Sequence, residues 1–264
     1  MKIGIVGVGV VGSACRAGFL TQNHVVKIHD ILLPTQLDDV LDTDIVYICI
    51  PTPGLPNGKC DTSNLHSVVL ELATKQYTGI VAIKSTCEPG TTKLLGKLSG
   101  LQTCYVPEFL REWCATDDFI YNHKLLAIGT SNKVIYDAVV KSHGSLPKKC
   151  IQLSESEAEI LKYYNNIFNA LRVTFANNMF ELCQVVGANY NKVLDAYLTR
   201  ETASPDYMNC TNELRGFGGM CLPKDVNGMI QFFKDVGLDL DLFSAIANDN
   251  KKFKRTTKPG MRNE

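Results

Sequence analysis

The sequence predicts an α/β domain built on a doubly wound parallel sheet, followed by a smaller all-helical domain with one long central helix. Three observations carry that expectation. Short apolar runs alternate with helical-period segments through residue 150, the pattern of strands joined by crossover helices. A glycine cluster, GVGVVG at 7–12, sits at the first strand-to-helix junction. From Ser154 the periodicity stays helical as far as Gly187.

A length of 264 residues suits two domains. The 27 basic and 27 acidic residues cancel, which gives no support to nucleic acid or an anionic membrane surface as partner. No run of about 18 apolar residues occurs. The opening MKIGIVGVG leads into a strand pattern and not into a signal-peptide cleavage region. The ten cysteines are scattered, without CxxC pairs or interleaved histidines. The expectation is a cytoplasmic protein with reduced thiols, no metal, and neither a membrane nor a nucleic-acid partner.

The elements follow in order. Residues 2–8, KIGIVGV, read as a strand, and residues 10–22 as the helix after it. Gly7, Gly9 and Gly12 have the spacing G-x-G-x-x-G, and a second strand, 25–30, ends on Asp30, which lies 21 residues after Gly9. About 20 is the interval expected for a ribose-binding carboxylate in a Rossmann-like unit. Gly7 permits the tight turn, Gly9 lets the backbone approach a pyrophosphate, and Gly12 lets the helix pack on the strand. The amides of Val10 and Val11, at the helix N-terminus, face the phosphates. Asp30 favours NAD over NADP, because a carboxylate repels a 2′-phosphate. Only 14 residues separate Asp30 from Ile45, room for a loop and about two turns of helix.

Further strands are expected at 44–53, 79–86, 103–110 and 124–130, with helices at 64–76, 89–100 and 132–144. Ligands of such a sheet bind beyond the carboxyl ends of its strands. The turns at Pro51–Pro53, Ser85–Thr86 and Pro107–Glu108 should therefore face the cofactor.

In the second half, Ser154 and Glu157 have capping-box spacing, and Ile160, Tyr164, Ile167, Leu171 and Phe175 approximate a 3.6-residue period. A helix of about 30 residues is about 45 Å long, more than a small domain requires. It is expected to link domains and to support a homodimer. Lys162, Asn165, Asn166 and Asn169 interrupt its apolar pattern. Lys162 and Asn166 are four residues apart and share a face; on residue type alone, a solvated polar stripe fits this cluster better than a site. After a short helix at 189–198 comes RGFGGMCLPKDVNG at 215–228. Here Cys221 stands just before a helix start with Pro223 in its first turn, a setting that favours the thiolate. The expected boundaries are 1–150 for the dinucleotide domain, 151–250 for the helical domain, and 251–264 for a basic tail.

With GVGVVG (7–12), IPTP (50–53), KST (84–86), PEFLRE (107–112), AEILKYYNN (158–166) and GFGGMCLPKD (216–225) in this order, the sequence resembles the UDP-glucose/GDP-mannose dehydrogenase family from residue 1 to about residue 250. The resemblance implies an NAD-dependent enzyme that oxidises C6 of a nucleotide sugar, UDP-glucose first among candidates, twice over. Cys221 then matches the nucleophile, passing through a thiohemiacetal and a thioester. Lys162 matches the lysine that stabilises charge at the C6 oxygen. Asn166 and Asp225 match positions that hold a water or orient that lysine. Glu108, the candidate base, and Thr86 match the network that activates water. Phe109, Leu110, Glu112, Phe217, Gly218 and Gly219 match sugar contacts, with Lys162 and Asn166 beside them. Thr52, Thr86 and Glu112 match residues near the nicotinamide.

The sequence also departs from its family. Relatives continue into a second Rossmann-like domain, whereas 43 residues follow Cys221 here, which leaves open a truncation or a separate chain. Trp113 replaces a glycine after PEFLRE, the Asp30–Ile45 segment is short, and an arginine that in relatives reaches the partner subunit's substrate has no clear match, the loop before the glycine cluster offering only Arg200 and Arg215. Two alternatives stay open: a truncated NAD-binding relative without turnover of its own, and a 6-phosphogluconate dehydrogenase-like hydroxy-acid dehydrogenase using Lys162.

Overall fold

The computed structural model describes residues 1–200, 206–238 and 241–253. The chain divides into two compact units, Met1–Pro53 with Cys60–Lys162, and Gly54–Lys59 with Tyr163–Glu264. The first contains β1 (Lys2–Val6), α1 (Val10–Thr21), β2 (Val25–His29), β3 (Ile45–Ile48), α2 (Ser63–Thr74) and β4 (Ile80–Ile83). These are followed by α3 (Thr91–Ser99), β5 (Gln102–Tyr105), α4 (Ala115–Ile120), β6 (Leu126–Gly129), α5 (Lys133–His143) and β7 (Cys150–Leu153).

The strands form one sheet in the order β2-β1-β3-β4-β5-β6-β7. Period-2 alternation sends successive side chains to opposite faces. Ile3, Ile5, Ile45, Tyr47, Ile80 and Ala82 pack with Phe19 of α1, Phe119 of α4 and Val139 of α5. Val6, Val46, Ile48, Val81 and Ile83 pack instead with Leu65, Val69 and Leu72 of α2 and Leu95 of α3. Both faces are covered, which is why these strands read as continuous apolar runs. Each such side chain contributes about 1.5–3 kcal/mol when fully buried.

Three details differ from the sequence expectation. The sheet is parallel except between β5 and β6, which meet antiparallel at Tyr105 and Gly129. The link between them holds a short 3-10 turn and the six-residue α4, and the chain re-enters the sheet at the end where β5 leaves it. α4 and β7 themselves had no expected counterpart. Between Asp30 and Ile45 there is one 3-10 turn, Leu37–Val40, in place of two helical turns. This link must carry the chain past β1 to the start of β3, which requires most of it extended.

The helix α6 (Glu155–Val186) follows β7. Its start is a capping box: the Ser154 N–H and hydroxyl donate to the Glu157 carboxylate at 2.7 and 2.8 Å, and the Glu157 N–H returns to the Ser154 hydroxyl at 3.4 Å. From Tyr163 on, α6 belongs to the second unit, with α7 (Tyr190–Leu198), α8 (Leu222–Asp235) and α9 (Leu242–Asn250). Tyr163, Ile167 and Ala170 of α6 pack with Val226 and Met229 of α8, Ile246 of α9, and Phe217. Ala176, Phe180 and Cys183 pack with Tyr190 and Leu194 of α7.

The polar cluster on α6 is not a solvated stripe. Asn166 is 5% exposed and Asn169 is 9% exposed. Burial on this scale requires hydrogen-bond partners, and no local sequence pattern reveals those. Among the described residues no helix is long and apolar enough to cross a membrane, and no cluster of His, Cys, Asp or Glu could hold a metal ion. Residues 254–264 of the expected basic tail lie outside the described residues.

Candidate functional site

In the first unit, the turn after β1 is shaped for a close approach. Gly7 has φ +89, and a Cβ on it would meet the Cys49 carbonyl oxygen at 2.8 Å. A Cβ on Gly12 would come within 1.9 Å of the Gly7 carbonyl oxygen. Helix and loop therefore touch backbone to backbone. Gly9 is the N-cap of α1, and no side chain caps the helix, so the first-turn amides at Val10 and Val11 are left for an anion. Asp30 closes the other side of the loop. Its Oδ2 accepts from the Val8 N–H at 2.6 Å, and its Oδ1 accepts from the Leu32 N–H at 2.9 Å. These two amides hold its carboxyl below the usual carboxylate range, and each oxygen keeps a second lone pair for a ribose hydroxyl.

This arrangement fits a dinucleotide. Gly12→Ala is expected to lower stability by about 1–3 kcal/mol through overpacking and to weaken NAD+ binding. An unchanged urea midpoint with unchanged affinity would contradict the close approach.

The strand ends carry the remaining residues of this unit. Thr52 is buried beyond β3 and Thr86 is half-buried beyond β4. The Cys60 thiol lies 3.3 Å from the Thr52 carbonyl oxygen and 3.4 Å from that of Thr86, holding both loops together. Beyond β5, Glu108 is buried at 2.8 Å from the Lys84 ammonium, itself buried. Burial pushes the Glu108 carboxyl up, but the Lys84 charge and the Phe109 N–H outweigh it, and the group ends below its ordinary value. Lys84 moves the opposite way: burial lowers it, the Glu108 carboxylate raises it, and the raising wins. The pair is ionised.

The Lys162 ammonium donates to the Glu108 carbonyl oxygen at 2.5 Å and lies 5.9 Å from the centroid of the Phe109 ring. Lys162, Glu108 and Phe109 thus form one group, with Leu110 and Glu112 half-buried in the same segment. Arg111 pins that segment through two side-chain bonds to Asp118, at 2.9 and 2.6 Å. An open cleft of about 350 Å³ is lined by Val10 and Ser13 of α1 and by Glu112, Trp113, Cys114, Ala115, Thr116 and Asp117. It brings Val10 and Glu112 to one place.

In the second unit, Cys221 is the N-cap of α8, with Pro223 in the first turn. Of the ten cysteines, all among the described residues, Cys221 alone is exposed. The loop leading to it is buried at Phe217, Gly218 and Gly219. Asn250 of α9 clamps this loop: its Oδ1 accepts from the Phe217 N–H at 2.8 Å and its Nδ2 donates to the Phe217 carbonyl at 2.9 Å. Asp225 is 1% exposed. It accepts from the Asn166 amide at 2.5 Å and from the Lys224 ammonium at 2.7 Å. Arg215 donates to Asn177 at 2.8 Å and to Glu181, and lies against the rings of Phe180 and Phe253. Arg200 is exposed.

Sequence reasoning missed Lys84, Asn250, Lys224 and Cys60 as positioning residues. Lys84 left one trace, a lysine ending an otherwise apolar strand.

The chain matches the UDP-glucose/GDP-mannose dehydrogenase family in two parts, the NAD binding domain over residues 31–143 and the central domain over residues 156–252. It is 29% identical to a UDP-glucose 6-dehydrogenase of Haloferax volcanii over 236 residues, which cover 82% of this chain and 54% of that protein. It is 28% identical to a GDP-mannose 6-dehydrogenase of Pseudomonas aeruginosa, over 80% of this chain and 51% of that protein. The structure of a UDP-glucose dehydrogenase from Pyrobaculum islandicum superposes with a TM-score of 0.87 at 23% identity, covering 95% of this chain and 68% of that one. The chain spans about half the length of the curated relatives it matches.

Proposed function

Because the chain belongs to the UDP-glucose/GDP-mannose dehydrogenase family, we propose that it oxidises the C6 hydroxyl of a nucleotide sugar to a carboxylate, with UDP-glucose as substrate. NAD, the family's cofactor, accepts a hydride in each of the two oxidations when bound. The protein's own residues do the rest.

Lys162 stabilises the negative charge that develops on the C6 oxygen as its proton leaves. The Cys221 sulfur, as thiolate, adds to the aldehyde carbon, and the oxygen takes a proton to give a thiohemiacetal. Loss of a second hydride and a proton leaves a thioester on Cys221. Water then attacks the thioester carbonyl, the sulfur departs as thiolate, and the acid is released. Glu108 takes the proton of that water with Thr86 beside it; the Lys84 charge keeps its carboxylate in the accepting form. Asn166 and Asp225 hold each other and orient the polar groups on their side of the substrate, and Phe109, Leu110, Phe217, Gly218 and Gly219 contact the sugar. The helical domain of residues 151–250 carries the cysteine loop. It pairs two copies into a homodimer through the side of α6 where Tyr164, Phe168, Phe175 and Leu182 are exposed.

The observation that best supports this reading is the contrast between Cys221 and the other nine thiols. It alone is exposed, at the start of a 14-residue helix, where the helix dipole favours a thiolate. One competing reading is an NAD-binding relative without turnover of its own. Purified protein given NAD+ and UDP-glucose decides between them. Two NADH per uronate are expected; NAD+ binding without NADH formation would establish the competing reading.

A further inference from the structure

We propose that Trp113 is a cofactor contact: its indole walls the cleft that takes the nicotinamide half of the dinucleotide and favours the cationic oxidised ring over the neutral reduced one. The inference rests on NAD binding by the first unit and not on oxidation of a sugar.

The sheet order places the cleft. A pyrophosphate at the α1 N-terminus lies over β1, and Asp30 at the end of β2 marks the adenosine side. β3, β4 and β5 lie on the other side of β1, so the nicotinamide half extends toward them. The segment that leaves β5 supplies Glu112–Asp117 to the cleft, while the first turn of α1 supplies Val10 and Ser13. The cleft therefore opens on the nicotinamide side of the pyrophosphate site.

Its chemistry suits a cation. Trp113, the sole tryptophan of the chain, is 37% exposed, and the carboxylate residues Glu112 and Asp117 share the lining. An indole face attracts positive charge through its quadrupole, and the two acidic residues add to that attraction. Oxidised nicotinamide is a pyridinium cation; the reduced ring is uncharged. The indole is also braced. The Arg111 guanidinium lies 5.9 Å from the ring centroid, and Asp118 at 2.6 Å both fixes it and balances the positive charge that would otherwise oppose a cation in the cleft.

Calorimetric titration of NAD+ and NADH, without sugar, into the parent protein and its Trp113→Gly and Trp113→Phe variants tests the assignment. Trp113→Gly is expected to weaken NAD+ about three- to fivefold, the size of a partly exposed cation–π contact, and to leave NADH within about twofold. Trp113→Phe should fall between parent and glycine variant. Equal losses for both cofactors, or no loss for either, would overturn the proposal. A second measurement needs no variant. With one indole in the chain, saturating NADH should quench tryptophan emission and sensitise nicotinamide emission. Calorimetric NADH binding without energy transfer removes Trp113 from the cofactor while leaving the dinucleotide site intact; absence of NADH binding removes both.

Discussion

Cys221→Ser is expected to cut uronate release on the order of 10³-fold or more, with NAD+ affinity within about threefold of the parent protein. In the proposed route the first oxidation uses no sulfur, so up to one equivalent of NADH is expected to form with aldehyde in place of acid. In the proposed route the second oxidation passes through a covalent adduct, and a serine hydroxyl is a far weaker nucleophile than a thiolate at neutral pH. Serine at this position is expected to leave the fold intact. Cys221 is the N-cap of α8, and serine is among the favoured N-cap residues. Lost turnover with an unchanged urea midpoint therefore reads as lost chemistry and not as unfolding. Chromatography of the sugar products with NADH counted in parallel is the measurement. Continued release of uronate by the serine variant would end the thioester route.

The parts of this protein that are local in sequence were also legible there. GVGVVG, the strand before it, the helix after it and Asp30 at the end of the next strand define the dinucleotide loop within one βαβ unit. The same is true of Ser154 with Glu157, which cap α6 within a single turn. What escaped depends on contacts between distant segments. Nothing beside Asn166 in the chain announces Asp225, 59 residues away, so a buried pair looked like a solvated stripe. Asn250 clamps a backbone 33 residues before it, and asparagine in a helical pattern has many ordinary uses. The antiparallel entry of β6 depends on which end of the sheet the chain returns to, which apolar periodicity does not encode. Lys84 is the clearest example: its burial beneath Glu108 turns the KST motif from a loop marker into an ion pair under the candidate base.

That ion pair carries the largest stability effect. Lys84→Met or Glu108→Gln alone is expected to cost about 3–5 kcal/mol, since each leaves one buried charge without its partner. The double variant, with both charges gone, should recover much of the loss. The pH dependence follows from the two directions. Glu108 has a depressed pKa in the folded state, so its contribution is present above the ordinary carboxylate value, about 4.3, and is lost as pH falls through the folded value. Lys84 is raised, so its contribution is complete below about 10.4 and fades as pH rises through its folded value. Between those limits the pair gives a flat plateau. His143 adds an earlier acid slope: burial, then the nearby Lys84 charge, holds it well below its ordinary value. The unfolded chain therefore takes up a proton below about pH 6.5 that the folded chain resists, and stability falls with pH from there. Urea unfolding at several pH values resolves the two, because Glu108→Gln should reduce the carboxylate loss below about pH 4.3, which Asp30 and Asp118 share, and leave the histidine slope, to which His123 adds. Single variants as stable as the parent, or a double variant worse than both, would mean that the charges do not hold each other in the folded protein.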